Sequence, residues 1–144
     1  MDNIEILSKG KEEVIYDQAH ITISYDTENE ILINDWKGLL TWETVQDGCL
    51  NMIDVFKSKR GYKILNSNVN LTGSWAVGVE WTSEVWAPQI LEEGLKRFAW
   101  VHSKANFAEL SASSLVSKIK DDQKDEIFAS FQDYDEAYQW LLSN

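Results

Sequence analysis

The sequence predicts an α/β domain. Its expected core is a mixed, mostly parallel sheet with an N-terminal antiparallel hairpin and about four helices. Three observations predict it. Residues 20–26 alternate apolar and polar side chains, the mark of a half-buried strand. After residue 40, apolar residues at three- and four-residue spacing alternate with short apolar runs, the pattern of right-handed βαβ crossovers. One proline and no Gly/Ser linker or repeat leave no domain boundary, so residues 1–144 read as a single domain.

The elements follow in order. Residues 1–12 are polar and expected to be a flexible N-terminus. Val14-Ile15-Tyr16 is a short β-prone run. Ile21, Ile23 and Tyr25 alternate with His20, Thr22 and Ser24, and Thr27-Glu28-Asn29-Glu30 is a turn into a strand from Ile31 to Trp36. Trp42, Val45, Cys49, Met52, Ile53 and Phe56 then recur on one helical stripe. Thr41 is its N-cap, with Thr44 where a capping-box acid would stand, so the box reads as incomplete. Lys57, Lys59 and Arg60 suit the negative end of the helix dipole, and Gly61 is the C-cap.

Residues 62–66 form a strand, and residues 67–74 read as a polar loop. A helix is expected from about Trp75 to Glu93, with a break where Pro88 cannot donate to the Glu84 carbonyl, and Gly94 ends it. Residues 98–102 are near-continuously apolar, as in a buried parallel strand. A helix over residues 107–119, a solvated loop and a strand over residues 127–131 follow. Asp133 with Glu136 opens the last helix.

Composition excludes several classes. Thirteen basic residues against twenty-four acidic ones give a formal charge of −11. Phosphate backbones and anionic membrane surfaces repel such a chain, so nucleic acid is not an expected partner. No apolar run approaches the roughly 20 residues of a membrane span, so no stable membrane insertion is expected. The N-terminus lacks the cationic region of a secretory signal, and a cytoplasmic setting is the expectation. One cysteine and two histidines offer no multi-cysteine metal site, and neither metal nor cofactor is expected. No nucleophile-elbow, P-loop or zinc-protease motif occurs, so the expectation is not an enzyme.

Four segments carry a family resemblance. Asn66 to Trp75 ends in Thr72-Gly73-Ser74-Trp75, and Trp81 to Pro88 has the form W-x(4)-W-x-P. Gly94 to Val101 and Phe131 to Leu141 complete the set. Together they resemble the STAS/SpoIIAA-like family, in particular small bacterial STAS-like proteins of unassigned function. The resemblance covers residues 13–143 and implies a single STAS-like domain. It also implies a binding or regulatory module similar to anti-sigma-factor antagonists, working through protein–protein contacts. In those antagonists a Ser or Thr at the start of a helix after a central strand is phosphorylated. By resemblance the candidate acceptors here are Ser74 and Thr72, although this chain lacks the Asp of the family's regulatory motif.

The residues themselves nominate a surface. Trp86 shares a helical face with Trp75, Val79 and Ile90, while Val77, Trp81 and Val85 form a second one. A helix packed on a sheet needs only one stripe, so the second face meets a neighbour or stays open to a partner. A two-fold dimer through such a face is permitted. Trp42, Trp75, Trp86, Trp100 and Trp140 fall where core is expected, whereas Trp36 and Trp81 do not fit it easily. Asn66, Asn68, Asn70 and His102 lie at the expected carboxyl ends of parallel strands, where open sheets bind ligands. Trp36, Trp81, Trp86, Asn68, Asn70 and His102 are thus the candidate ligand or partner residues. A protein partner is the first reading, and an apolar small molecule or lipid held in a Trp-lined crevice is the alternative.

Overall fold

A computed structural model describes residues 12–59, 62–72, 78–102 and 127–143. Six strands form one sheet in sequence order: β1 Glu12–Asp17, β2 Ile21–Asp26, β3 Ile31–Gly38, β4 Lys63–Leu71, β5 Arg97–Val101 and β6 Phe128–Phe131. The β1–β2 and β2–β3 pairs are antiparallel, and the other three pairs are parallel. The expected mixed sheet and its N-terminal hairpin are both present. Helix α1 spans Trp42–Lys59, and α3 spans Tyr134–Leu142. Between them, α2 occupies residues 79–92 as a short α turn Val79–Trp81, a π turn Thr82–Trp86 and an α stretch Ala87–Glu92. The helix expected over residues 107–119, the Gly61 cap, and residues 1–11 and 73–77 lie outside the described residues.

Strand alternation sorts the core into two layers. Ile21, Ile23, Leu32, Trp36, Ile64, Phe98 and Trp100 face α1 and α2. Ile31, Ile33, Leu65, Ala99 and Val101 face α3, which contributes Ala137, Tyr138 and Leu141. Lys63 Nζ and Arg97 Nη1 donate to the Leu141 and Trp140 carbonyls, both at 2.5 Å, tying the last turn of α3 to the sheet. Cations there also complement the negative end of the helix dipole.

Local chemistry sets the helix ends. The Thr41 hydroxyl accepts from the Thr44 N–H at 3.2 Å, and the Thr44 hydroxyl accepts from the Thr41 N–H at 2.8 Å. The capping box is therefore complete, with a threonine hydroxyl doing what a Glu carboxylate usually does. The Asp133 side chain caps α3 through the Asp135 N–H at 3.2 Å. Gly94, at φ +103°, lets Leu95 N–H reach the Ile90 carbonyl and its own N–H reach that of Leu91. That pair of bonds is a Schellman stop, reached where glycine alone is unstrained.

One expectation is corrected, and another is met in an unexpected form. The polar loop assigned to residues 67–74 is strand as far as Leu71. β4 pairs with β3 from Lys63 to Leu71, with a bulge where Lys37 meets Asn70 rather than the next residue in register. The run looks loop-like because it is rich in amides, two of which, Asn66 and Asn68, are buried and bonded to each other. Trp36 Nε1 donates to Asn66 Oδ1 at 2.9 Å, and Asn66 Nδ2 donates to Asn68 Oδ1 at 3.2 Å. The break at Pro88 is also not a simple kink. The Ala87 N–H bonds to the Thr82 carbonyl, five residues back, so the helix widens into a π turn just before the proline. Pro88 removes one donor, and the wider turn accommodates that loss while turning Thr82, Ser83 and Trp86 inward.

Asn34 is fully buried in β3 between Ile23 and Asn66, and its side-chain nitrogen and oxygen have no hydrogen-bond partner among the described residues. A buried unsatisfied amide costs about 1–3 kcal/mol. Asn34→Leu, similar in volume, is expected to raise stability by about 1 kcal/mol or more, read by urea denaturation. A loss of stability would mean that the amide has a bonding role in the fold.

Candidate interaction surface

The surface is built where β3 gives way to α1. Gly38, at φ +71°, turns the chain out of the sheet, and Leu39-Leu40 leads into the Thr41 cap. The cap fixes Trp42 as the first residue of α1. There Trp42 meets Trp81 of α2 edge to face, with ring centroids 5.6 Å apart and planes at 88°. Such a pair contributes beyond its buried area and holds both rings in place. Trp81 is half-buried against the core edge, but Trp42 is 38% exposed, Val85 39% and Leu39 76%. Trp42, expected in the core, is thus a surface residue. Helical spacing places it correctly on the α1 stripe, but its first-turn position leaves the ring partly beyond the layer that covers Val45 and Cys49.

The other described tryptophans, Trp36, Trp86, Trp100 and Trp140, occupy the interior or its margin, and Trp75 lies outside the described residues. Trp36, which did not fit core by its sequence context, is 0% exposed. Its indole lies under Gly48 of α1: a Cβ at position 48 would come within 2.8 Å of Trp36 Cζ3. The signal that could have located it was this glycine in the middle of α1, a small residue that admits an indole. Trp86 is buried and donates to the Cys49 carbonyl at 3.0 Å, so it belongs to the core and not to the partner surface. Trp100 is buried against Phe98 and Phe128. Trp140 is half-buried under the Arg97 guanidinium, 4.6 Å from its ring centre.

The remaining candidates separate. Asn68 and His102 are buried on the sheet, not at its surface. Asn70 is half-buried and donates to Asp35 Oδ1 at 3.1 Å. Thr72 is exposed just past β4, its N–H bonded to the Gly38 carbonyl at 3.0 Å. Ser74 lies outside the described residues. Cys49 is a free, buried thiol, and burial raises its pKa far from the thiolate range. His20, expected to be exposed, is half-buried. It meets Asp47 Oδ2 at 2.8 Å, and Tyr16 donates to the same oxygen at 2.6 Å, clasping β1 and β2 to α1. Among the described residues no group of three or more His, Cys, Asp or Glu side chains is arranged to hold a metal ion. Among them, too, no helix is long and apolar enough to cross a membrane.

Three carboxylates neighbour the aromatic pair in sequence. Glu43 follows Trp42 on α1, and Glu80 and Glu84 flank Trp81 and Val85 on α2. All three are exposed, and none has a side-chain ion pair or hydrogen bond among the described residues.

Acids elsewhere set the pH response of the fold. Burial raises the carboxyl pKa of Glu12, against a Ser24 hydrogen bond that lowers it. Burial also raises that of Asp35, against the Asn70 hydrogen bond and the Lys37 charge. Burial works to raise Asp47 as well, but the hydrogen bonds from Tyr16 and His20 outweigh it and leave Asp47 below the usual range. A carboxyl raised by folding keeps its proton to higher pH than in the unfolded chain, so its contribution falls as pH rises through the folded value. Asp47 has the opposite sign, and its contribution is lost only in stronger acid. Melting temperature is therefore expected to rise as pH drops toward the ordinary carboxylate range, and Asp35→Asn is expected to flatten that rise. An unchanged pH slope in Asp35→Asn would contradict the assignment.

The fold and this surface define a class: a mixed α/β domain with tryptophans at its centre and one aromatic face left open beside acids. No protein-family model matches the chain. No curated protein matches it either. One solved structure is similar to it, an uncharacterized protein from the DUF3478 family with a SpoIIAA-like fold, from Shewanella loihica PV-4. The likeness spans 90% of this chain and 99% of that one, at 18% identity and a TM-score of 0.47.

Proposed function

We propose that the chain is a non-catalytic, cytoplasmic binding module of STAS type that acts through contact with another protein. The observation that carries this reading is the partly exposed Trp42–Trp81 pair, with Leu39 and Val85 exposed nearby in the same two segments of chain. Tryptophan is over-represented among residues that dominate binding energy, and contiguous exposed apolar area marks partner surfaces. In this reading a kinase regulates the contact at Thr72 or Ser74, by analogy with the family the sequence resembles. Each phosphate would add about −1.5 to −2 charges.

Native mass spectrometry of the purified chain separates this reading from the carrier alternative. The expected result is the bare chain, with a protein captured in pull-down and lost in Leu39→Lys. A copurified lipid or other apolar mass would favour a carrier instead. For the switch, peptide mass spectrometry of the protein from its own cells is expected to find phosphate on Thr72 or Ser74. Neither residue modified under any growth condition would remove the regulatory part and leave the contact standing.

A further inference from the structure

We infer that the partner docks on the Leu39–Trp42–Trp81–Val85 face with a cationic, apolar-faced helical segment; this rests on the contact reading above and names its chemistry. Apolar area alone would not choose among occupants. The charges around it do. Glu43, Glu80 and Glu84 are exposed and unpaired among the described residues, although ion pairs form elsewhere, as between Lys59 and Glu13 at 3.2 Å. A partner that covers the two indoles brings its rim against these carboxylates. Lysine or arginine there gains attraction, acquires cation–π contact with any indole face it reaches, and is steered in at long range.

The same charges disfavour a second copy of this chain. A two-fold interface places one patch against itself, so the three carboxylates of each copy would face an equally acidic rim. Like charges juxtaposed at an interface oppose association. An anionic membrane is disfavoured for the same reason. A helical segment suits a face built from two adjoining helices, Trp42 from α1 and Trp81 from α2. An amphipathic helix would set residues spaced three and four apart against the two rings.

The test uses the full chain and two synthetic amphipathic helices with the same leucine face, one with lysines on its polar side and one with glutamates. Binding is followed by the indole N–H resonances of Trp42 and Trp81, together with titration calorimetry. The lysine helix is expected to shift both resonances and to bind roughly tenfold or more tighter than the glutamate helix. Leu39→Lys and Val85→Lys, both at exposed positions that the fold tolerates, are expected to weaken it by roughly tenfold. Glu80→Gln with Glu84→Gln is expected to weaken it two- to fivefold, roughly the worth of surface pairs, and Glu28→Gln with Glu136→Gln to leave it unchanged.

Equal binding of both helices at the indoles would overturn the cationic assignment and leave the contact face standing. Equal losses from the two glutamine pairs would overturn it too, since the attraction would then belong to net charge. A concentration-dependent dimer abolished by Leu39→Lys would show that the occupant is a second copy. Binding of the lysine helix without any shift at Trp42 or Trp81 would overturn both the inference and the contact reading beneath it.

Discussion

Trp36→Ala is expected to lower stability by about 3–5 kcal/mol, the cost of removing a fully buried large aromatic side chain. Three features place it at the upper part of that range. The indole has no exposed area, so the whole side chain contributes to burial. Its N–H is the donor to Asn66 Oδ1, and the truncation leaves that buried oxygen short of a bond. The space beneath Gly48 then opens on a residue with no side chain to fill it. The reciprocal change is Gly48→Ala. Its new methyl would press on the ring, and overpacking of this kind costs about 1–3 kcal/mol. Combined with Trp36→Phe, Gly48→Ala is expected to cost less than the sum of the two, because the smaller ring makes room for the methyl. Urea denaturation of the set of variants reads all of these values. A loss below about 1 kcal/mol for Trp36→Ala would mean that Trp36 is not a core residue.

Asp26→Ala is the second large effect, expected at about 3–5 kcal/mol. Asp26 is fully buried at the end of β2. Its Oδ1 accepts from the Glu28 and Asn29 N–H groups, both at 3.0 Å. Its Oδ2 accepts from Asn29 Nδ2 at 3.2 Å and from the Tyr138 hydroxyl. The carboxylate thus closes the β2–β3 turn and pins α3 across the sheet, joining residues 112 apart in sequence. Removing it strands the buried Tyr138 hydroxyl and leaves the partly buried turn donors without their acceptor. Tyr138→Phe deletes the bond to Asp26 and the one its hydroxyl accepts from Asn29 Nδ2 at 2.9 Å, but keeps the ring and the buried carboxylate's other bonds, so its expected cost is smaller, about 1–3 kcal/mol. Tyr138→Phe costing as much as Asp26→Ala would put the weight on the tyrosine and contradict this ordering. Hydrogen exchange is expected to show faster opening of α3 in both variants.

Much of the fold was legible because short-range patterns dictate it. The alternation from His20 to Tyr25, the Thr27–Glu30 turn and the three-and-four spacing from Trp42 to Phe56 each correspond to an observed element. Gly94 and Asp133 mark real helix ends. What was not legible is tertiary. Residues 66–70 alternate amides with Ser67 and Val69, a composition that favours loops. Only the approach of Trp36 and the pairing with β3 make those amides tolerable inside a strand. The break at Pro88 was readable, but its resolution as a π turn depends on what the turn packs against.

The candidate surface was half legible. The second apolar face of α2 identified Trp81 and Val85, and both lie at the open face. Trp42 was missed because periodicity assigns a residue to a stripe without saying whether anything covers that end of it. Trp36 was misplaced for the converse reason. A tryptophan beside Asn34 and Asp35 looks polar-facing in sequence, yet alternation turns it inward under a glycine from another element.

We propose that one face, Leu39 with Trp42, Trp81 and Val85, is where this protein meets its partner. Photo-crosslinking in the cells that make the protein tests it most directly. Benzoylphenylalanine replaces Val85 in one chain and Glu28, on the β2–β3 turn, in another. A discrete protein adduct is expected from position 85, disappearing when Leu39→Lys is added, and none is expected from position 28. No adduct at position 85, or the same adduct from both positions, would contradict it.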